Sequence, residues 1–224
     1  MAKAKKRKIT TESDIISAYM DYTLEYDVSK NNAHVFCQTV DIDESDFYQQ
    51  FGSIEALEKK IWQLLMTQSV ETASADERFS GFTDQEQLLS VLYTFFENLT
   101  LNRSYILENL KEHQSFLKKK ELFSQMKKVF SHFVDETFHD QRMSMSRSEI
   151  QTIDNLRKQA FREGFWAKLI FLINFWHKDE SKSFESTDIA IEKSVRAAVD
   201  LLDASPRNSF IDLGKFLWKE KIQN

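Results

Sequence analysis

The sequence predicts an all-α protein, and three observations carry that prediction. Its 224 residues include only four glycines and one proline, where average usage would give about 16 and about 11. Apolar residues recur at helical spacing along most of the chain, for example at Ile54, Leu57 and Ile61. The hydrophobic fraction of 42% supports a folded core. Because tight turns and hairpins need glycine and proline, the composition argues against sandwiches, barrels and Rossmann domains.

The sequence predicts about ten helices, and capping residues mark where most of them begin. A side-chain oxygen at such a position accepts a hydrogen bond from an unpaired amide of the first turn. The predicted caps, with reciprocal acidic partners where present, are Thr11 with Asp14, Asn32, Asp43, Ser53, Thr83 with Glu86, and Ser146 with Glu149. The predicted helices cover about 11–28, 32–39, 44–50, 53–75, 83–101, 102–117, 121–142, 150–178 (with a kink at Gly164) and 187–204, followed by a last helix from Ser205 and Pro206.

The remaining composition favours a soluble, cytoplasmic protein without a membrane segment. A single cysteine, Cys37, cannot form an internal disulfide, and its apolar helix position predicts a core residue. No apolar stretch of signal-peptide length follows the basic start of the chain. The most apolar segment, Phe165–Trp176, is far shorter than the about 20 residues that cross a bilayer. It therefore predicts a buried helix.

Charge is distributed unevenly in the first quarter of the chain. The first eight residues contain five bases and no acid, whereas residues 9–60 contain eleven acids and three bases. The basic group is Lys3, Lys5, Lys6, Arg7 and Lys8. Such a group is either a solvated N-terminal tail or an arm that contacts nucleic-acid phosphates.

Residues 9–62 carry the spacing of a helix-turn-helix. Phe36 and Cys37 take the apolar and small positions of a second helix, and Ile42 follows a tight turn. Phe47–Phe51 reads Phe-Tyr-Gln-Gln-Phe, and Ser53–Leu57 opens the next helix with a cap, an acid and a leucine. In these features the segment resembles the DNA-binding domain of the TetR family of one-component transcriptional regulators.

That resemblance implies a dimeric DNA-binding regulator, expected to act as a repressor. The implied organisation is a basic tail (1–8), a helix-turn-helix domain (9–52) and a helical ligand-binding and dimerisation domain (53–224). In a dimer, two helix-turn-helix domains about 34–36 Å apart would contact successive major grooves of double-stranded DNA. The candidate DNA contacts are Lys3, Lys5, Lys6, Arg7, Lys8, Lys30, Ser45, Tyr48 and Gln49. The candidate homodimer contacts, on the last long helices, are Phe165, Lys168, Leu169, Leu172, Trp176, Ile191, Val195 and Val199.

The segment departs from the family pattern in charge. Asp41 replaces the usual turn glycine, Ile54 replaces a phosphate-binding lysine, and acids dominate the start of the recognition helix at Asp43–Asp46. Phosphate neutralisation supplies most non-specific DNA affinity, so these acids have the wrong sign for it. Two alternatives therefore stay open. One is a TetR-like protein that binds a lipid or other hydrophobic ligand and no DNA, and the other is a scaffold whose acidic head binds a basic protein.

The larger domain is rich in phenylalanine, with sixteen of nineteen after residue 61. An elongated pocket between helices, lined by such side chains, would suit an apolar small-molecule effector. The alternative is ordinary core packing. The candidate pocket residues are Phe95, Phe96, Tyr105, Phe116, Phe123, Phe130, Phe133 and Trp166.

Metal and enzyme chemistry find no support in the sequence. His132, Asp135, Glu136 and His139 share one side of a helix, but the two histidines are two turns, or about 10 Å, apart. A solvated helix face is expected there, with no metal and no cofactor. The chain contains no glycine-rich phosphate loop, nucleophile elbow or suggestive Cys-His spacing, so no enzymatic activity is expected. The sequence assigns no partner to His34, His113 or His177.

Overall fold

The computed structural model describes residues 11–26, 32–113, 115–139 and 151–203. Its regular structure within these ranges consists of ten α-helices and two 3₁₀ turns, at Phe79–Gly81 and Lys182–Phe184. The helices are α1 Glu12–Glu25, α2 Ala33–Thr39, α3 Glu44–Gln50, α4 Ile54–Ser74, α5 Asp84–Leu101, α6 Arg103–Glu112, α7 Phe116–Leu122, α8 Ser124–Thr137, α9 Gln151–His177 and α10 Glu185–Asp203. The all-α prediction is confirmed.

The predicted caps form at the starts of the first five helices. The Thr11 hydroxyl accepts from the Asp14 amide at 3.2 Å, and the Asp14 carboxylate accepts from the Thr11 amide at 3.0 Å. Thr83 and Glu86 repeat this reciprocal pair before α5. The remaining caps are Asn32, which accepts from Val35, Asp43, which accepts from Ser45, and Ser53, which accepts from Ala56. The caps predicted at Ser146 and at Ser205 with Pro206 lie outside the described residues.

The two helices predicted over 102–117 and 121–142 have different boundaries in the structure. α6 ends at Glu112, and α7 then begins after Ser115. Ser115 has extended backbone angles (φ −75°, ψ 146°), and its hydroxyl accepts from the Lys118 amide at 3.2 Å. This cap starts a new helix inside a region whose apolar spacing looks continuous. Phe123 then separates α7 from α8.

The last two described helices agree with the sequence in position. α9 runs as one helix from Gln151 to His177 and continues through Gly164, where a kink was expected. α10 begins at Glu185, two residues before the predicted start. Thr187 lies inside it, and the Asp179 carboxylate accepts from both its amide (2.9 Å) and its hydroxyl (2.6 Å). The first turn of α10 is thus capped by an acid from the preceding loop.

The described residues divide into two compact units. Unit 1 draws on Met1–Glu77 and Thr94–Phe133, and unit 2 on Arg78–Tyr93 and Val134–Asn224. Within unit 1, α1 packs on α6, α2 on α3 and α4 on α7, and within unit 2, α9 packs on α10. Domain boundaries after residues 8 and 52 therefore stay predictions, because this division follows packing rather than the expected functional segments.

Aromatic side chains form the core of the first three helices. The Phe36 ring lies 5.3 Å from that of Tyr19, 5.4 Å from Tyr22 and 6.0 Å from Phe47, each at a steep angle. Phe36 and Phe47 have no exposed surface. Complete burial of one such side chain contributes about 2 kcal/mol, so this cluster holds α1, α2 and α3 together.

Unit 2 has its own aromatic core along α9. The Phe165 ring lies 4.9 Å from that of Phe138 and 5.0 Å from that of Phe161. Further along the helix, Trp176 is fully buried and its ring lies 6.4 Å from that of Phe184. None of the helices in the described ranges combines the length and the apolar character that a membrane span requires.

Candidate functional site

The turn between α2 and α3 is the geometric centre of the candidate DNA-reading site. The Ile42 amide donates back to the Cys37 carbonyl at 3.0 Å, and the Val40 amide donates to that of Phe36 at 3.1 Å. Asp41 lies between them with φ at +56°. This is the left-handed position that closes a helix end and is usually glycine. The backbone at this position thus requires the left-handed conformation that favours glycine, the residue that the family usually has there. In this protein an aspartate adopts that conformation.

The protein's own carboxylates occupy the start of α3. Asp43 accepts from the Ser45 amide at 2.9 Å and from the Ser45 hydroxyl at 2.7 Å. Glu44 pairs with His34 of α2. Residues 32–52 contain four acids and no lysine or arginine. The Ser45 amide, in the turn where helix amides bind phosphate in other proteins, is therefore already bonded to a carboxylate, and the surrounding charge repels an anion.

Two of the predicted DNA contacts project from α3, and their side chains have no hydrogen-bond partner among the described residues. Tyr48 is 54% exposed, and Gln49 is exposed as well. Phe47 between them and the core is fully buried and anchors the helix. Ser45 is exposed, but its hydroxyl donates to Asp43. The remaining candidates, Lys3, Lys5, Lys6, Arg7, Lys8 and Lys30, lie outside the described residues.

Cys37 lies under this turn as a buried core residue, as predicted. Burial, followed by the nearby carboxylates of Glu44 and Asp43, raises the pKa of its thiol to about 11. A thiol in this state stays protonated at neutral pH and is a poor nucleophile.

Sequence reasoning missed a buried polar cluster that joins α1, α4 and α6. Glu58 on α4 is only 6% exposed, and its Oε1 accepts from the Tyr19 hydroxyl at 2.9 Å and from Asn109 Nδ2 at 2.8 Å. Asn109 Oδ1 in turn accepts from Trp62 Nε1 at 2.9 Å. A signal was present, since Glu58 stands four residues before Trp62 and seven before the buried Leu65, hence on the apolar side of the helix.

Six of the eight predicted pocket residues are buried, and the structure distributes the set over both units. In unit 1 the side chains of Phe95, Phe96, Tyr105, Phe123, Phe130 and Phe133 are at most 6% exposed. Phe123 lies against Trp62 with ring centroids 4.7 Å apart. Trp166 belongs to unit 2 and is half-buried, and the side chain of Phe116 lies outside the described residues. The pocket itself stays a prediction.

Tyr105 has the most unusual environment of these aromatics. It is 2% exposed, and its hydroxyl has no hydrogen-bond partner among the described residues. Its ring lies 6.4 Å from that of Tyr19. Burial, followed by the nearby Tyr19 and Glu58, raises the pKa of Tyr105 well above its ordinary value. The hydroxyl therefore remains neutral and available as a donor.

The predicted dimer residues are mostly covered within a single chain. Phe165, Leu169, Leu172, Trp176, Ile191 and Val195 are buried in unit 2, and Lys168 and Val199 are half-buried. The exposed side of α9 carries a different apolar row, Ala160, Gly164, Ala167, Phe171 and Phe175. Phe171 is 54% exposed, and a Cβ placed on Gly164 would meet no atom within 4 Å. Among the described residues this row is an exposed apolar part of α9, and the dimer contacts stay a prediction.

The acidic and histidine residues of α8 do not assemble into a metal site in the described structure. Asp135 accepts from Arg162 of α9 at 3.2 Å. Across the described ranges, no group of three or more His, Cys, Asp or Glu side chains is arranged to hold a metal ion.

Comparison with known families identifies the C-terminal helices. The family model described as tetracyclin repressor-like, C-terminal domain, matches residues 87–217, which is more than half of the chain. No curated protein matches the sequence. The match begins beyond the helix-turn-helix, so residues 9–62 rest on their own motif and geometry. The family consists of non-enzymatic regulators, in agreement with the absence of catalytic motifs from the sequence. The chain belongs to the TetR-like family of regulators.

Proposed function

We propose that the protein is a dimeric DNA-binding transcriptional regulator, acting as a repressor, that responds to an apolar small molecule. The observation that carries the proposal is the turn between α2 and α3. Its backbone closure, with Asp41 in the left-handed region, joins α2 to α3 through a short turn of the kind that precedes a recognition helix. Tyr48 and Gln49 then point outward from α3 as exposed polar side chains. Side chains of this kind contact base edges and phosphates in the major groove.

Charge assigns different roles to the two parts of the DNA-binding surface. The α2–α3 segment is acidic and lacks lysine and arginine, so it contributes little phosphate neutralisation. The basic group Lys3–Lys8 and Lys30 supply it instead. On this proposal the basic residues provide affinity, and Tyr48 and Gln49 provide sequence preference.

The effector acts through α4, which follows directly on the recognition helix. An apolar molecule bound among the buried aromatics of the larger domain would favour one of two arrangements of α4. A change at α4 alters the separation of the two recognition helices in a dimer and releases the DNA. The phenylalanine-rich interior supports an apolar ligand, because it offers few polar groups to any other kind.

The homodimer forms through the exposed row on α9. The row combines small residues, Ala160, Gly164 and Ala167, with the exposed aromatics Phe171 and Phe175. Small residues let two helices approach closely, and the aromatic rings then bury their exposed surface against the partner. Ile189 on α10, 52% exposed, adds to the same kind of surface within unit 2.

Selection from a random duplex library at about 50 mM salt tests DNA binding, since electrostatic contacts are strongest at low salt. We expect enriched sequences and retardation that weakens steeply as salt rises. A variant with the five bases of Lys3–Lys8 changed to glutamine should lose much of this affinity. Its slope of log affinity against log salt should fall by about 0.9 for each phosphate contact removed.

A matched control changes five exposed lysines elsewhere to glutamine. These are Lys120, Lys128, Lys178, Lys182 and Lys193. The net charge changes equally, so a tail-specific role predicts that the control keeps the wild-type slope. The absence of enrichment and of salt-dependent retardation in the wild-type protein would refute DNA binding.

A second candidate function is favoured by the acidic α2–α3 segment. The segment has four acids and no lysine or arginine, which is a charge pattern that fits a helix-turn-helix that does not bind phosphate. In that case the protein binds a lipid or other hydrophobic ligand on a TetR-like fold and ignores DNA. Native mass spectrometry of freshly purified protein separates the two functions, because the second predicts a co-purifying apolar molecule together with a negative library selection.

A further inference from the structure

The buried carboxylate of Glu58 also contacts a histidine. His113 Nε2 lies 3.3 Å from Glu58 Oε2, and the two side chains are 16% and 7% exposed. His113 Nδ1 lies 2.9 Å from the backbone carbonyl oxygen of Asn109. Both ring nitrogens therefore face acceptors. A neutral imidazole can donate from only one nitrogen, so the arrangement satisfies every contact only when His113 is the imidazolium cation.

The position of His113 at the end of α6 favours the same charge state. His113 is the C-cap of α6, where unpaired carbonyls carry partial negative charge. The hydrogen bond to Glu58 is the main cause that raises the pKa of His113 above its ordinary 6.5, and burial opposes it. The Asn109 carbonyl and the charge of Glu58 raise the pKa further, whereas Lys118 lowers it.

The groups around this pair come from four helices. Tyr19 of α1 donates to Glu58, and Glu55 of α4 interacts electrostatically with His113. Tyr105 of α6 lies near Glu58 and is neutral. Lys118 of α7 is the cation that opposes protonation of His113. Within the described part of the chain, Glu58 thus connects Tyr19 of α1 to Asn109 of α6 and to His113, the C-cap of α6.

We propose that Glu58 and His113 form a proton-operated latch that holds α1 of the helix-turn-helix against α4 and α6 and releases it when His113 loses its proton. Loss of the proton leaves the Glu58 charge buried without its compensating cation, which is costly in a low-dielectric interior. It also leaves one ring nitrogen of His113 as an acceptor facing an acceptor. The closed arrangement is then less stable relative to one in which water reaches Glu58, so α1 separates from Glu58 more often.

The direction of the pH response follows from the charge that is stabilised. The folded pKa of His113 lies above the unfolded value of 6.5, so the latch is closed below about pH 6.5. It opens as pH rises through the folded pKa. The inference does not rest on DNA binding, because the latch acts within the chain itself.

Hydrogen–deuterium exchange of the full-length protein between about pH 6 and about pH 8.5 tests the latch. Each rate is divided by the intrinsic chemical rate at that pH, and the α1 peptide is then compared with an α10 peptide from the same sample. We expect α1 to lose protection relative to α10 as pH rises. The largest possible change is about tenfold for each pH unit that separates the folded and unfolded pKa values of His113.

Two variants isolate the pair from general pH effects. Glu58→Gln keeps an acceptor for Tyr19 and Asn109 but removes the charge, so α1 protection should become independent of pH. His34→Gln removes another histidine of unit 1, paired with Glu44, and should retain the wild-type response. A wild-type response that is absent, or that survives in Glu58→Gln, would overturn the proposal.

An NMR titration of the wild-type protein keeps the inference testable if Glu58→Gln does not fold. The imidazole signal of His113 is assigned by its absence from His113→Gln. A midpoint above 6.5 supports the latch. A midpoint at or below that value contradicts it, because the ion pair would then not stabilise the cation.

Discussion

At the scale of single residues, Asp41 shows how a sequence departure meets a fixed backbone requirement. Its φ of +56° belongs to the region where a Cβ is unfavourable. Aspartate tolerates this conformation better than most residues, though less well than glycine. The absence of the family glycine therefore does not abolish the turn. It leaves a small strain in the backbone that the surrounding hydrogen bonds hold in place.

We expect Asp41→Gly to raise the free energy of unfolding by about 0.5 kcal/mol and Asp41→Ala to lower it by about 1 kcal/mol. Glycine removes the steric conflict of the left-handed region, whereas alanine loses the tolerance of aspartate. Urea unfolding monitored by circular dichroism measures both. The same substitutions at the exposed, helical Gln38 should show the opposite order, with glycine less stable than alanine. Alanine more stable than glycine at position 41 would contradict the assignment.

At the scale of elements, one loop acid organises the junction of α9 and α10. Asp179 is 7% exposed and accepts from the Ser181 amide at 2.9 Å as well as from Thr187. Burial alone would raise the pKa of Asp179, but the hydrogen bonds from Thr187 and Ser181 outweigh it and lower the value to about 2. The Lys182–Phe184 turn lies between Asp179 and α10, and it contains two residues with positive φ, Ser183 and Phe184. The Asp179 carboxylate therefore joins the two ends of a tightly bent loop by hydrogen bonds to Ser181 and Thr187.

Replacing Asp179 with alanine should cost about 2 kcal/mol at neutral pH, because the buried Thr187 loses a charged acceptor for two donors. Glu180→Ala, beside it and exposed, should cost less than about 0.5 kcal/mol. The contribution of Asp179 is present above its unfolded pKa of 3.8 and is lost as pH falls towards 2. Chemical unfolding at neutral and at acidic pH checks both points, and a difference that grows in acid would contradict them.

At the scale of the whole molecule, the proposed dimer depends on the α9 row that the described residues leave exposed. Phe171→Glu places a charge in the middle of the α9 row. We expect the dimer dissociation constant to rise by at least about 100-fold, as for a central interface residue. Sedimentation equilibrium measures it. Leu101→Glu, at a side chain that is 76% exposed in unit 1, is the matched control and should leave the dimer intact. Dimers that survive Phe171→Glu but not Leu101→Glu would place the interface elsewhere.

Features that depend on near neighbours could be predicted from the sequence. Thr11 with Asp14 and Thr83 with Glu86 act over three residues, so their spacing is enough to locate the starts of two helices. Ser115 acts in the same way, but it was hidden because apolar residues on both sides continue the helical spacing. In the candidate site, the exposure of side chains on α3 was predictable for the same reason. Exposure of Tyr48 and Gln49 follows from their register beside the buried Phe47.

Composition and short-range pattern by themselves determined the all-α class, the starts of the first five helices and the acidic charge of the α2–α3 segment. Each of these depends on backbone groups and side chains within a few residues of one another. Only the tertiary structure decided which side of α9 the other described residues cover, and that Glu58 contacts Tyr19 and His113. The Tyr19–Glu58 and Glu58–Asn109 bonds join residues 39 and 51 positions apart. The burial of a charge depends on such distant partners, because only they can replace the water that folding removes.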